Sequence, residues 1–196
     1  MTTITIVLMG VAGAGKSTVM AALAERLGWA TAEADEFHSP ANVAKMRSGG
    51  PLSDEDRWPW LDSLAVWIGE REAADGGLGE NAIVTCSALK RSYRDLLRRG
   101  HASVRFIHLS APAAALDGRL RGRLGHYMPP ALLASQMEAL EPLEPDEPGA
   151  VVSTDGGPDE AVGAILSLIG RWSGRRYGAE PGADPGAGTG AGTGAR

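Results

Sequence analysis

The 196-residue sequence contains one cysteine, Cys86. A single thiol excludes an intramolecular disulfide, so a reducing compartment is the simplest reading. No His/Cys spacing of the zinc-site kind occurs. Long hydrophobic runs are missing: Ile4–Met9 is far too short to cross a bilayer. The N-terminus also lacks the basic region and small-residue cleavage site of a signal peptide. A cytoplasmic protein without a membrane partner is the default expectation. Positive charge is not in surplus either; the formal net charge is −5, which argues against a nucleic-acid surface.

What is present is an alternation of short apolar runs and amphipathic stretches. Ile4–Met9, Ala82–Cys86 and Val104–Leu109 read as buried strands, with weaker candidates at Ala30–Ala34 and Ala150–Thr154. Helices are expected at Ser17–Leu27, Pro40–Arg47, Leu89–Arg99, Ala113–Leu124, Ala131–Leu140 and about Asp159–Trp172. A longer helix carries Leu61, Leu64, Trp67 and Ile68, with Ser53-Asp-Glu-Asp56 placed to cap it. Trp58, Trp60 and Trp67 are spaced as a packing face. Cys86 reads as a small buried strand residue rather than a nucleophile. Strands alternating with helices predict an α/β, three-layer fold with a parallel sheet of about five strands. Residues 178–196 are Gly, Ala, Pro and Thr with almost nothing to bury, and read as a disordered tail after a 1–177 domain.

The most informative run is Gly10-Val-Ala-Gly-Ala-Gly-Lys-Ser17, which fits G-x-x-x-x-G-K-[ST] completely. It lies between a strand and a helix, as phosphate binding requires. Gly10, Gly13 and Gly15 let the backbone turn successive N–H groups inward, and the helix start adds its positive dipole end. On this reading Gly10, Gly13, Ala14, Gly15, Lys16, Ser17 and Thr18 bind ATP. Lys16 reaches the β- and γ-phosphates, and Ser17 ligates Mg²⁺. The bland alternative, a flexible glycine turn, is disfavoured by that context. A switch GTPase or transport ATPase is disfavoured by two absences: no N-K-x-D stretch and no L-S-G-G-Q-like signature. A small-molecule kinase is what remains.

Beyond the loop, several segments stand in order: Asp35-Glu-Phe-His38, Lys45-Met46, Gly50-Pro-Leu-Ser-Asp-Glu-Asp-Arg57 and Pro59-Trp60-Leu61. After them come Cys86-Ser-Ala-Leu-Lys90, Tyr93-Arg-Asp-Leu-Leu-Arg98, Arg119–Arg123, Gly125-His126-Tyr127 and Gln136. Together they resemble the gluconokinase family, within the shikimate-kinase-like and adenylate-kinase-like P-loop kinases, over roughly Ile4–Ile169. The resemblance implies ATP-dependent, Mg²⁺-requiring phosphorylation of D-gluconate to 6-phospho-D-gluconate. It also implies a homodimer and a helical lid at about 119–135.

On that resemblance Asp35 takes or orients the proton of the substrate hydroxyl, and Glu33, two residues earlier on the same strand face, holds a Mg²⁺-bound water. A polyhydroxy carboxylate needs cationic forks and donors. Arg57 is the leading clamp, with His38, Lys45, Lys90, Arg94, His126 and Gln136 as further substrate-binding candidates. The competing reading for Lys45, Lys90 and Arg94 is a solvated helix face, and for His38 a satisfied wall histidine. Arg119 and Arg123, four apart on a helix, are candidates for ATP contact, with Arg123 stabilising the transferring phosphoryl group. Val151–Asp155 lines the adenine pocket by the same analogy. The nearest rival substrate is another polyhydroxy acid such as shikimate. Shikimate kinases usually carry a G-G-G turn after the third strand, where this chain has Ser87-Ala88-Leu89.

Overall fold

Strand β1, Thr5–Met9, is buried at every position, Thr5 included. Its neighbours explain this: β3 (Ala82–Thr85) pairs on one side and β4 (Val104–Ser110) on the other, both parallel, with Thr5 opposite Ala82 and Val104. Beyond them lie β2 (Ala30–Glu33) and β5 (Gly149–Ser153), giving the all-parallel order β2-β3-β1-β4-β5. This computed structural model describes residues 3–77, 79–122 and 130–177.

Side-chain alternation along β1 divides the core in two. Ile4, Ile6 and Leu8 face one layer, with Val19, Met20 and Leu23 of α1 (Lys16–Leu27) and Ala161, Val162, Ile165 and Ile169 of α7 (Pro158–Ser173). Val7 and Met9 face the other, with Leu61, Leu64 and Ile68 of α3 (Asp54–Gly77) and Tyr93 and Leu97 of α4 (Arg91–Arg98). Helices therefore cover both faces, the three-layer arrangement expected of an all-parallel sheet. Trp60 is buried, while Trp58 and Trp67 pack partly buried against the same core. Cys86 is buried just past β3, and burial pushes its thiol up to about 12, so it stays neutral.

Three shorter helices complete the chain: α2 (Pro40–Arg47), α5 (Ala113–Arg121) and α6 (Pro130–Ala139). The start of α3 is a capping box: Ser53 Oγ accepts from Asp56 N–H at 3.3 Å, and Asp56 Oδ2 accepts from Ser53 N–H at 2.8 Å. One connection departs from expectation. Strand β2 stops at Glu33, and Ala34–Phe37 form a 3₁₀ turn. The two-residue period therefore does not carry through to Asp35, which does not share a strand face with Glu33 as expected. The tail at 178–196 lies outside the described residues.

Chain order along the sheet reverses beside β1: the chain fills the β3 and β2 side first, then crosses to β4 and β5. In open parallel sheets, ligands bind at the C-terminal ends of strands where this reversal occurs. The loop following β1 occupies that position.

Candidate active site

The phosphate-binding loop is built by close backbone packing. Gly10 has φ +134°, and a Cβ there would stand 2.7 Å from the Leu109 carbonyl oxygen, so only glycine lets the chain leave β1 in this direction. Its N–H donates to Ser87 O at 3.2 Å, tying the loop to the segment after β3. The Ala14 methyl is buried in the core, leaving the rest of that residue as backbone. Lys16 Nζ donates to the carbonyls of Gly10 and Val11 at 2.9 and 3.1 Å, so the ammonium lies over the N-terminal arm of the loop. Ser17 and Thr18 are exposed at the first turn of α1.

Residues from other elements close around this loop. Glu33, at the end of β2, accepts from Thr85 Oγ1, its register partner on β3. Asp35 is exposed on the 3₁₀ turn. The Gly10 bond to Ser87 O and the bond from the Trp60 indole of α3 to Ala34 O, next to Asp35, tie the phosphate loop, the segment after β3 and the 3₁₀ turn to one another beyond the ends of β1, β3 and β2. The donor set suits a magnesium–nucleotide complex: an exposed hydroxyl, a carboxylate at the strand end, and a lysine on a turn whose backbone a Cβ would obstruct.

Beside it lies a second cluster made of side chains. Arg57 Nη1 donates to Tyr93 Oη at 3.0 Å, and its guanidinium lies 5.7 Å from that ring's centre. Tyr93 in turn donates to Asp54, which also accepts both of its Lys90 bonds, at 2.7 and 2.9 Å. The Lys90 and Tyr93 hydrogen bonds hold the Asp54 carboxyl below its ordinary range, and the Asp54 bond holds Lys90 above its own. Arg57 and Lys90, 33 positions apart in sequence, thus meet at one tyrosine. His38 stacks on Trp60 with ring centres 4.3 Å apart, and the Trp60 indole donates to Ala34 O at 2.6 Å. Burial pushes His38 down, opposed by Asp35 and assisted by Arg57, so the imidazole is neutral at neutral pH. A cleft of about 410 Å³ opens between the 3₁₀ turn, α2 and α3, with Phe37, Asn42, Asp56 and Trp60 in its wall; no phosphate-loop residue lines it. Lys45 is committed to Asp56 by an ion pair of 2.5 Å.

Arg94 requires correction on both counts. It is neither a substrate contact nor part of a solvated face; its side chain is 0% exposed. The guanidinium binds Glu147 through Nε and, at 2.8 Å, through Nη2. It also donates to the carbonyls of Ala88, Leu89, Glu141 and Pro142. Every direction of the fork is therefore spent inside the protein, on the segment that carries Lys90 and on the loop after α6. Ala88, in that segment, sits at φ 42°, a left-handed conformation uncommon outside glycine and consistent with such external restraint.

Arg119 lies on α5 and donates to Thr154 Oγ1 at 2.9 Å, Thr154 O at 2.6 Å and Gly13 O at 3.4 Å. It joins the phosphate loop to the end of β5. Gln136 Oε1 accepts from Ala12 N–H at 2.7 Å, which places it on the phosphate loop. Arg123 and His126 lie outside the described residues. In the sequence, Tyr93 is marked only by the Tyr93-Arg-Asp run, Asp54 reads only as part of a cap, and Thr154 falls within the expected adenine-pocket segment Val151–Asp155, with nothing to signal its bond to Arg119.

A parallel sheet with this loop at its reversal point, a lysine over it and carboxylates beside it defines a P-loop kinase-type domain. Similarity to known proteins sharpens this. A family model described as an AAA domain matches residues 5–143. A gluconokinase of Gluconobacter oxydans is 47% identical over 161 residues, covering 82% of this chain and 88% of its own. A sugar kinase structure from Janibacter is 50% identical with a TM-score of 0.78, covering 85% of this chain and 94% of that one. A gluconokinase structure from Sinorhizobium meliloti is 39% identical with a TM-score of 0.76, covering 88% and 95%. The chain belongs to the gluconokinase family.

Proposed function

We propose that this protein transfers the γ-phosphoryl group of ATP to D-gluconate, forming 6-phospho-D-gluconate. The observation that carries the reading is the placement of two unlike clusters after neighbouring parallel strands: the phosphate loop with Lys16 after β1, and the Arg57–Tyr93–Asp54–Lys90 junction on the segment after β3, to which Gly10 is bonded through Ser87. The first suits a polyphosphate. The second offers two cations and hydroxyl-bonding groups to a polyhydroxy acid. The gluconokinase relatives supply the identity of that acid.

Magnesium bound with the nucleotide would supply positive charge to the phosphates, and Ser17 and, through water, Glu33 would hold it. The other roles belong to the chain. Lys16, held on the Gly10 and Val11 carbonyls, reaches the β- and γ-phosphates. Asp35 accepts the proton of the attacking hydroxyl or orients it for in-line attack. Arg57 and Lys90 hold the substrate carboxylate, and neutral His38 serves as a hydrogen-bonding wall. Arg119 braces the nucleotide side, and Arg123 meets the transferring group. The working form is a cytoplasmic homodimer with residues 1–177 as the catalytic domain; among the described residues no helix is long and apolar enough to cross a membrane.

The test is ADP release with Mg-ATP and D-gluconate, shikimate, glucose, glucuronate or no acceptor. Selective turnover with gluconate is expected. Turnover with another acceptor would keep the kinase and remove the substrate. Nucleotide binding without acceptor-dependent turnover would remove the kinase reading altogether.

A further inference from the structure

The tip of the phosphate loop is gripped from outside the loop. Ala12 N–H donates to Gln136 on α6, and one residue later Gly13 O accepts from Arg119 on α5. Gln136 is aimed there by its helix: Leu133, one turn earlier on the same side, is buried in the core cluster that contains Val11 and Ala14. The contact therefore follows from how α6 is seated, across 124 positions of sequence.

The part of the loop concerned is the arm on which the Lys16 ammonium lies. The loop's inward backbone N–H groups cradle the α- and β-phosphates, and the loop lysine reaches β and γ. Here the Lys16 ammonium lies against Gly10 and Val11, immediately before Ala12. A glutamine carboxamide has an accepting oxygen and two N–H donors in one plane. The oxygen is used on Ala12, while among the described residues the two donors have no protein partner.

We propose that Gln136 is a positioning residue for the transferred phosphoryl group. Its oxygen fixes the Ala12 peptide, and its Nε2 donates to a γ-phosphate oxygen of the bound triphosphate. This rests on the kinase reading but not on gluconate as acceptor. The contact is present with a triphosphate and lost with a diphosphate, so it discriminates between substrate and product nucleotide.

The experiment is calorimetric titration of the full chain with Mg²⁺ and either ADP or a non-hydrolysable ATP analogue, without acceptor. Gln136→Met keeps the length and removes both functions. It should weaken the analogue about tenfold, the worth of one hydrogen bond to a charged group, and ADP less than about twofold. Gln136→Glu keeps an acceptor for Ala12 but replaces the donors with negative charge; it should weaken the analogue at least as far and again spare ADP. Melting temperatures of both variants should stay within about 2 °C of wild type. Equal weakening of both nucleotides would overturn the proposal and leave Gln136 as a prop for the loop. Unchanged affinity for the analogue would overturn it outright. Because no acceptor is used, failure of gluconate as substrate leaves this readout intact.

Discussion

The two sides of the site are made from different materials. The nucleotide side is backbone: a glycine turn whose shape is enforced by contacts such as Gly10 against Leu109 O. The proposed acceptor side is side chain: Arg57, Lys90, Tyr93 and Asp54 come from α3, α4 and the segment before α4. A backbone device needs consecutive residues, so its code is local and dense. A side-chain device needs only that the fold bring distant residues together, so its code is dispersed and each member looks ordinary alone. Behind both stands Arg94, whose ion pair with Glu147 braces the segment between them.

Substitutions can separate these layers, beginning with the largest effect. Asp35→Asn should lower kcat by about 10²–10⁴-fold, the usual worth of a positioned acid–base group, with nucleotide affinity retained. Steady-state kinetics alongside nucleotide titration checks this; an active variant removes Asp35 from the chemistry. Arg94→Ala should act on the fold instead. It leaves Glu147 buried and unpaired, a loss of about 3–5 kcal/mol and, for a chain of this size, about 10 °C in melting temperature. A near-normal melt would break the distinction between brace and site.

Arg57→Ala should raise the KM for gluconate about 10–100-fold through one lost charge-assisted contact, leaving the KM for ATP within about twofold. Equal effects on both would mean that the two sides are not separable. Tyr93→Phe removes the hydroxyl between Arg57 and Asp54 and should raise the gluconate KM about threefold to tenfold, with ATP again unaffected.

The smallest effect is in pH. Burial alone would raise the Glu147 carboxyl, but bonds from Arg94 and the Glu144 N–H outweigh it, and the group sits below its ordinary value. A carboxyl depressed by folding adds stability that is complete above its unfolded value, about 4.3, and is lost as pH falls through the lower folded value. Melting temperature should therefore decline below about pH 4 in wild type and decline less steeply in Glu147→Gln. Parallel slopes would show that the pair carries no such linkage.

The sequence alone determined the phosphate loop, the parallel α/β plan and the family. Six consecutive apolar or β-branched residues and a complete glycine-lysine motif express backbone physics that operates over a few residues. The proposed acceptor cations Arg57 and Lys90 are legible in the sequence as candidates, but not their shared partner, because Tyr93 and Asp54 meet them only through the packing of α3 on α4. Arg94 shows the limit most clearly. A basic residue on an amphipathic helix looks like a surface charge or a ligand until Glu147, 53 positions away, buries and neutralises it. The end of β2 at Glu33, the Arg119–Thr154 link and the Gln136–Ala12 bond belong to the same class. Each depends on distances between elements far apart in sequence, and only the packed tertiary structure sets those distances.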